Sequence, residues 1–173
     1  MSDITYIKTD KEYNYLTIVT DAYSKQVMGY ELDNNIKISL YTKALAMTIK
    51  NRKHPNKKRI YLSDSGFQYC NPKYTEFAEN NGIMMRMTEQ YYPYENTIAE
   101  RVNRTLKYEY ELSNCIKNSE TSEHITKQAV SIYNNLRIHF SLYLRKPTEV
   151  HLNPNIKYKS YRRNNENLPE LLI

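Results

Sequence analysis

Tyr13-Asn14-Tyr15-Leu16-Thr17-Ile18-Val19-Thr20 is the stretch from which the architecture can be read. It is dense in β-branched and aromatic residues, which fit a pleated, half-buried surface, and it reads as a strand. Asp21-Ala22-Tyr23-Ser24-Lys25 then breaks the run, because Asp and Ser side chains bond their own backbone in turns. Gln26 to Leu32 reads as a second strand, with Gly29 marking a bulge or a point of close approach. Upstream, Asp3 to Tyr6 reads as the end of an earlier strand. Three such strands in sequence predict an antiparallel meander.

Downstream, Ile36, Leu40, Ala44 and Met47 recur at helical spacing, with Asn34 or Asn35 as cap candidates. A basic loop containing Pro55 ends that helix. It carries Lys50, Arg52, Lys53, Lys57, Lys58 and Arg59, a cluster compatible with either a solvated loop or an anion-binding patch. Arg59 to Ser63 is a short strand that runs into Asp64-Ser65-Gly66. Pro72 to Asn80 predicts a short helix stopped by Asn81-Gly82, and Ile83 to Met87 a further strand. From Asn96 onward the pattern is helical: Ile98, Val102 and Leu106 form a stripe, with Asn96 or Thr97 as N-cap. A second long helix shows Ile125, Ala129, Ile132, Tyr133 and Leu136. The order predicts a mixed α/β fold, with helices covering a sheet made of the meander and two further strands. Residues 1–153 form the predicted core, and 154–173 a basic, polar tail expected to be poorly ordered.

The chain has 173 residues, enough for one core and too few for two. Its net charge is +6, unevenly spread: residues 101–173 hold 12 basic and 7 acidic side chains against 13 and 12 in residues 1–100. The excess favours a polyanionic partner contacted by the C-terminal half. No apolar run approaches the roughly 18 residues of a membrane helix, and Met1-Ser2-Asp3 opens no signal-peptide pattern. Cys70 and Cys115 suit neither a disulfide scaffold nor a metal knuckle, and reduced thiols in the cytoplasm are the plain expectation.

Nucleophilic Ser or Cys catalysis has no support, since the histidines are scattered and neither GxSxG nor a P-loop occurs. Carboxylates remain. Asp64 leaves the end of a strand two residues before Gly66, so it is either rigidly held for chemistry or part of an Asx turn. Asp3 lies in the first strand and meets Asp64 only if that strand runs beside 59–63. Glu100 shares a helix face with Asn103, Arg104 and Lys107, which is either a solvated ion-pair face or a metal-binding carboxylate backed by phosphate-gripping cations.

Taken together the three are spaced by 60 and then 35 intervening residues. This spacing, in this element order, resembles the Asp-Asp-Glu catalytic core of transposases and retroviral-type integrases, which has a ribonuclease H-like fold. Asp3-Ile4-Thr5-Tyr6-Ile7 resembles the opening motif of IS3-type insertion-sequence transposases, and Ser63-Asp64-Ser65-Gly66-Phe67-Gln68-Tyr69 their SDxGxQY segment. Pro93 to Asn103 resembles their helix start around the Glu. Tyr133-Asn134-Asn135-Leu136-Arg137-Ile138-His139-Phe140-Ser141-Leu142, then Pro147-Thr148-Glu149, is similar to their YNxxRxHxSL…PxE close.

The resemblance implies that Asp3, Asp64 and Glu100 are catalytic and hold two divalent ions, Mg²⁺ or Mn²⁺, for DNA cleavage and strand transfer. It implies phosphate contacts from Arg104 and Lys107, transposon-end and target DNA as substrates, a homo-oligomer on DNA, and a separate N-terminal DNA-recognition region. Asp21 matches a turn position and is expected to be structural. Arg137, His139 and Glu149 match motif positions that either bind DNA or tie the last helix to the core, with tying favoured. Leu62 departs from the pattern, standing where many relatives have His. The family's first strand begins several residues before its Asp, whereas only Met1 and Ser2 precede Asp3, so an N-terminally truncated core with a loosely held Asp3 is expected. The alternative reading is an inactive remnant that only binds DNA or a partner.

Overall fold

The computed structural model describes residues 1–53, 59–63, 66–87 and 96–153. Its N-terminal strands are β1 (Ser2–Lys8), β2 (Tyr13–Thr20) and β3 (Val27–Asp33), an antiparallel meander with β2 in the middle. Asp3 pairs with Ile18, and Ile18 pairs onward with Tyr30. Asp3 sits near the start of β1 rather than at its end. The Thr20 N–H donates to the Met1 carbonyl at 2.7 Å, so paired backbone flanks Asp3 on both sides.

Successive strand side chains point to opposite faces, and β2 uses both. Leu16 and Ile18 enter one core, Val19 and the partly buried Tyr15 another. The first core is closed by α3 (Thr97–Glu109) and α4 (Ser119–Asn135), which contribute Val102, Leu106, Ala129, Val130 and Tyr133. The second is closed by α1 (Ile38–Lys50) and α2 (Pro72–Asn80), with Leu40, Tyr41, Ala44, Leu45, Tyr74 and Ala78. The sheet therefore lies between two helical layers. Strands β4 (Arg59–Ser63) and β5 (Ile83–Met87) form a parallel pair, and β4 lies next to β1. A 3-10 helix covers Phe67–Cys70, and α5 (Pro147–Leu152) follows a second short 3-10 turn. Among the described residues no helix is long and apolar enough to cross a membrane. The tail 154–173 lies outside the described residues.

Two sequence expectations shift because polar groups found other partners. The α1 N-cap is Lys37, with no side-chain cap bond. Asn35 instead gives its N–H to the Asp33 carboxylate, and Asn34 donates to Glu12. In α4, Ile132 is 40% exposed and Leu136, just past its end, is 65% exposed, while Ser122, Thr126 and Asn134 are buried. Asn14 donates to the Ser122 hydroxyl at 2.7 Å, and the Asn134 amide pairs with both the N–H and the C=O of Val27 at 2.9 Å. The inward stripe is thus rotated from the one that apolar residues alone suggest.

Gly29 is the close-approach point rather than the bulge, which falls between Val19 and Thr20. A Cβ there would land on the Ala44 carbonyl oxygen and the Thr48 hydroxyl, and 2.8 Å from the Thr48 nitrogen. The helix backbone cannot yield as a side chain would, so overpacking of about 1–3 kcal/mol is the expected cost. Gly29→Ala should therefore lower the unfolding free energy by that amount, read as a lower urea midpoint with an unchanged m-value.

Candidate active site at the junction of β1 and α3

Helix α3 turns Ala99, Val102, Asn103 and Leu106 inward, a 3-1-3 spacing that makes one face. Three of these are apolar. The fourth, Asn103, is 4% exposed, and a buried amide needs a partner. It finds one in Asp3: the Asn103 Nδ2 donates to the Asp3 Oδ2 at 2.8 Å. Asp3 lies on the same face of β1 as Ile7, which packs with Val102 and Leu106. One turn before Asn103, the exposed Glu100 occupies the first turn of α3, where the helix dipole favours a carboxylate. Its N–H donates to the Asn96 carbonyl at 3.2 Å. Asn96 sits at the cap position but does not cap with its side chain. Its Nδ2 donates instead to the Ser2 carbonyl at 2.8 Å.

The structure thus brings Asp3 and Glu100 to one junction, with Asn103 as the bridge between strand and helix. Asp64 lies outside the described residues; its predecessor Ser63 is fully buried at the end of β4. Arg104 is exposed on α3, and with Arg101, Thr105, Tyr108 and Glu109 it lines a shallow groove of about 320 Å³. Lys107 is half-buried, with its ammonium 3.7 Å from the centre of the Tyr6 ring, a cation–π contact. The polar face expected around Glu100 is therefore divided: Asn103 turns in to Asp3, Lys107 leans on β1, and Arg104 faces solvent.

The donor set suits a hard divalent cation, which takes carboxylate and other oxygen ligands. Asp3 is held by its amide partner, and Glu100 projects one turn away on the same helix. The Oδ1 atoms of Asn96 and Asn103 and the Ser63 hydroxyl are buried, with no hydrogen-bond partner among the described residues. Those residues hold no cluster of three His, Cys, Asp or Glu side chains. The third carboxylate of the expected set is Asp64.

The remaining motif residues hold elements together. Asp21 accepts bonds from the Ser24 hydroxyl at 2.6 Å and from the N–H groups of Tyr23 and Ser24, and contacts His151 Nδ1 of α5 at 3.2 Å. Burial alone would push its carboxyl up, but the bonds from His151 and Ser24 outweigh it and hold the carboxyl well below the usual range. Arg137 forms a two-pronged ion pair with Glu109, at 2.7 and 3.1 Å, tying the end of α4 to the end of α3. Glu149 accepts the Lys146 N–H in a capping box that starts α5. His139 packs edge-on against Tyr133, with ring centroids 5.1 Å apart.

Sequence reasoning placed Asn103 beside Glu100 and Asn96 at the helix start, but it assigned no site role to either, nor to Ser2 or Tyr69. For Asn103 a signal existed. An asparagine flanked by inward-facing Ala99, Val102 and Leu106 has poor helix propensity and must bond something across the interface.

With this geometry in view, comparison with known proteins is direct. Two family models, both described as Integrase core domain, match residues 1–93 and 81–147. The chain belongs to the integrase core domain family. It is 25% identical over 150 residues to the transposase for insertion sequence element IS904 of Lactococcus lactis, covering 86% of this chain and 59% of that protein. It is 31% identical over 107 residues to transposase InsF for insertion sequence IS3A of Escherichia coli, covering 62% of this chain and 37% of that one. The chain therefore spans well under two thirds of these relatives. In fold it is similar to a chain of the simian T-cell lymphotropic virus intasome in complex with PP2A regulatory subunit B56 gamma (TM-score 0.72, 19% identity, 94% of this chain and 57% of that one). It is likewise similar to the HTLV-2 integrase catalytic core domain in complex with magnesium, trimeric form (TM-score 0.65, 16% identity, 87% and 93%). The mixed sheet between helical layers is the ribonuclease H-like fold of those cores.

Burial, with the Arg137 guanidinium adding to it, holds the His139 imidazole down at about 4 from its ordinary 6.5. Between those values the unfolded chain binds more protons than the folded one, so stability rises with pH through that window and is lost on acidification. The Asp21 contribution is lost only below that carboxyl's ordinary value of 3.8. From pH 7 to pH 4.5 the wild-type urea midpoint should consequently fall more steeply than that of His139→Phe, which keeps a ring against Tyr133 but cannot titrate.

Proposed function

We propose that this chain is the catalytic core of an IS3-type transposase, carrying out metal-dependent DNA strand cleavage and transfer with Asp3, Asp64 and Glu100 as its carboxylates. The observation that supports the reading most directly is the Asn103–Asp3 bond, which fixes a strand carboxylate against the helix turn that presents Glu100. These carboxylates would hold two Mg²⁺ or Mn²⁺ ions, which would supply an activated water or 3′-hydroxyl and offset charge on the leaving oxygen. The protein's own part is positioning. Asn103 orients the Asp3 carboxylate, the start of α3 aims Glu100, and the paired backbone of β1 keeps Asp3 from drifting. Arg104 and Lys107 bind phosphates, which sets register rather than sequence preference. Lys107 does so from its perch on Tyr6, a ring that limits the side chain's freedom before DNA arrives. Transposon-end and target DNA are the substrates, a homo-oligomer on DNA is the working form, and the compartment is the cytoplasm.

Incubation of a labelled transposon-end duplex with Mn²⁺ tests this. Asp3→Asn, Asp64→Asn and Glu100→Gln should each reduce cleavage at least about 100-fold, beyond the 10–100-fold typical of disturbing a supporting contact, with duplex binding retained. Equal cleavage by wild type and the three variants, or none by any of them, overturns the catalytic reading. Arg104→Ala should weaken binding evenly across DNA sequences and reduce the salt dependence by about one counterion.

A further inference from the structure

Ser2 is gripped from two sides. Its hydroxyl is 2.8 Å from the Tyr69 hydroxyl in a buried hydrogen bond, and its carbonyl accepts the Asn96 Nδ2 at 2.8 Å. Ser2, Tyr69 and Asn96 are 0%, 1% and 5% exposed. The residue joined to Ser2 is Asp3. The Asn96 carbonyl in turn accepts the Glu100 N–H. A continuous path of bonds therefore runs from Tyr69 through Ser2 and Asn96 to Glu100, with Asp3 attached to its middle.

The far end of this path is firmly anchored. The Tyr69 ring packs against Tyr41 of α1 at 5.3 Å, Tyr74 of α2 at 5.9 Å and Tyr61 of β4 at 6.4 Å between centroids, so three elements hold it. Packing alone needs only the ring. The hydroxyl is a separate feature, and in this buried setting its bond to Ser2 satisfies it at 2.8 Å.

We propose that Tyr69 and Asn96 are positioning residues that clamp Ser2 and so set the spacing between the Asp3 and Glu100 carboxylates on which divalent-metal affinity depends. The proposal rests on the metal-dependent reading of this site. Metal-binding carboxylates tolerate on the order of 0.5 Å of displacement, and loss of supporting contacts of this kind costs about 10–100-fold in metal affinity. Neither Tyr69 nor Asn96 touches reacting atoms in this scheme; both act through the backbone on either side of Asp3 and at the start of α3.

Calorimetric titration of the full chain with Mn²⁺, without DNA, tests the clamp. Tyr69→Phe and Ser2→Ala should each weaken Mn²⁺ binding about tenfold, and the double variant should be no weaker than either single one, because both remove the same bond. Tyr74→Phe is the control. It deletes an equally buried hydroxyl of the same ring cluster, one that donates to Tyr61 at 3.1 Å rather than to Ser2, and it should bind Mn²⁺ like wild type even where its urea midpoint falls. Unchanged affinity in Tyr69→Phe, or an equal loss in Tyr74→Phe, overturns the clamp and leaves the metal reading standing. Wild type that binds no Mn²⁺, or binding untouched by Asp3→Asn, overturns the metal reading and the clamp with it.

Discussion

Helix α3 can dock on the sheet in few ways, because one of the four side chains on its buried face is an amide. Leaving Asn103 unbonded in that interface would cost about 1–3 kcal/mol, whereas a bond to a charged carboxylate contributes about 1.5–3 kcal/mol. Sliding the helix by one turn would break that bond and also mismatch Ala99, Val102 and Leu106, which differ in size, with the sheet beneath them. The Asn103–Asp3 bond therefore sets the register of α3 on β1. Register in turn decides where Glu100 stands, because Glu100 is on the same rigid helix. The fold and the candidate site share this one constraint: the contact that seats the helix is the contact that orients the strand carboxylate.

Elements signalled by neighbouring residues were legible in the sequence. β4 and β5 fall on the expected bounds, and α2 runs from Pro72 to Asn80 as read. The reasons are local: short, mostly apolar runs for the strands, a Pro start for the helix, and a Gly82 with φ of +69° that stops it. What failed to show was whatever depends on a distant partner. Ser122 is inward-facing in α4 because Asn14, 108 residues away, bonds it, and no periodicity of apolar residues contains that information. The same holds within the site. Asp3 and Glu100 stood out through motif resemblance, but Asn103 acquires its meaning from a residue 100 positions earlier, and Asn96 from one 94 positions earlier.

The polar residues of the C-terminal motif illustrate how a pattern that looks chemical can be architectural. Asn134 presents its amide to both backbone groups of Val27, and the Asn51 Nδ2 bonds the Met28 carbonyl at 2.9 Å. β3 is the outer strand of the meander, and an outer strand exposes groups that invite further pairing. Side-chain amides on adjacent residues occupy that edge in place of another strand. Arg137 and Glu109 pair across the ends of α4 and α3, so the helix bearing Asn134 and the helix bearing Asn103 meet there as well.

This arrangement bears on the site through the order of the sheet. β3 is bonded to β2 and β2 to β1, so a β3 edge fixed by α4 limits motion of the strand that carries Asp3. On the other side of the sheet, Gly29 lets the α1 backbone press against β3, which fixes the same strand from the second layer. The carboxylate at the junction thus sits on a strand that is paired across the meander to β3, and it has its own amide partner as well. That is why residues such as Asn134 and Gly29, which touch no part of the candidate site, belong to the same physical argument as Asn103.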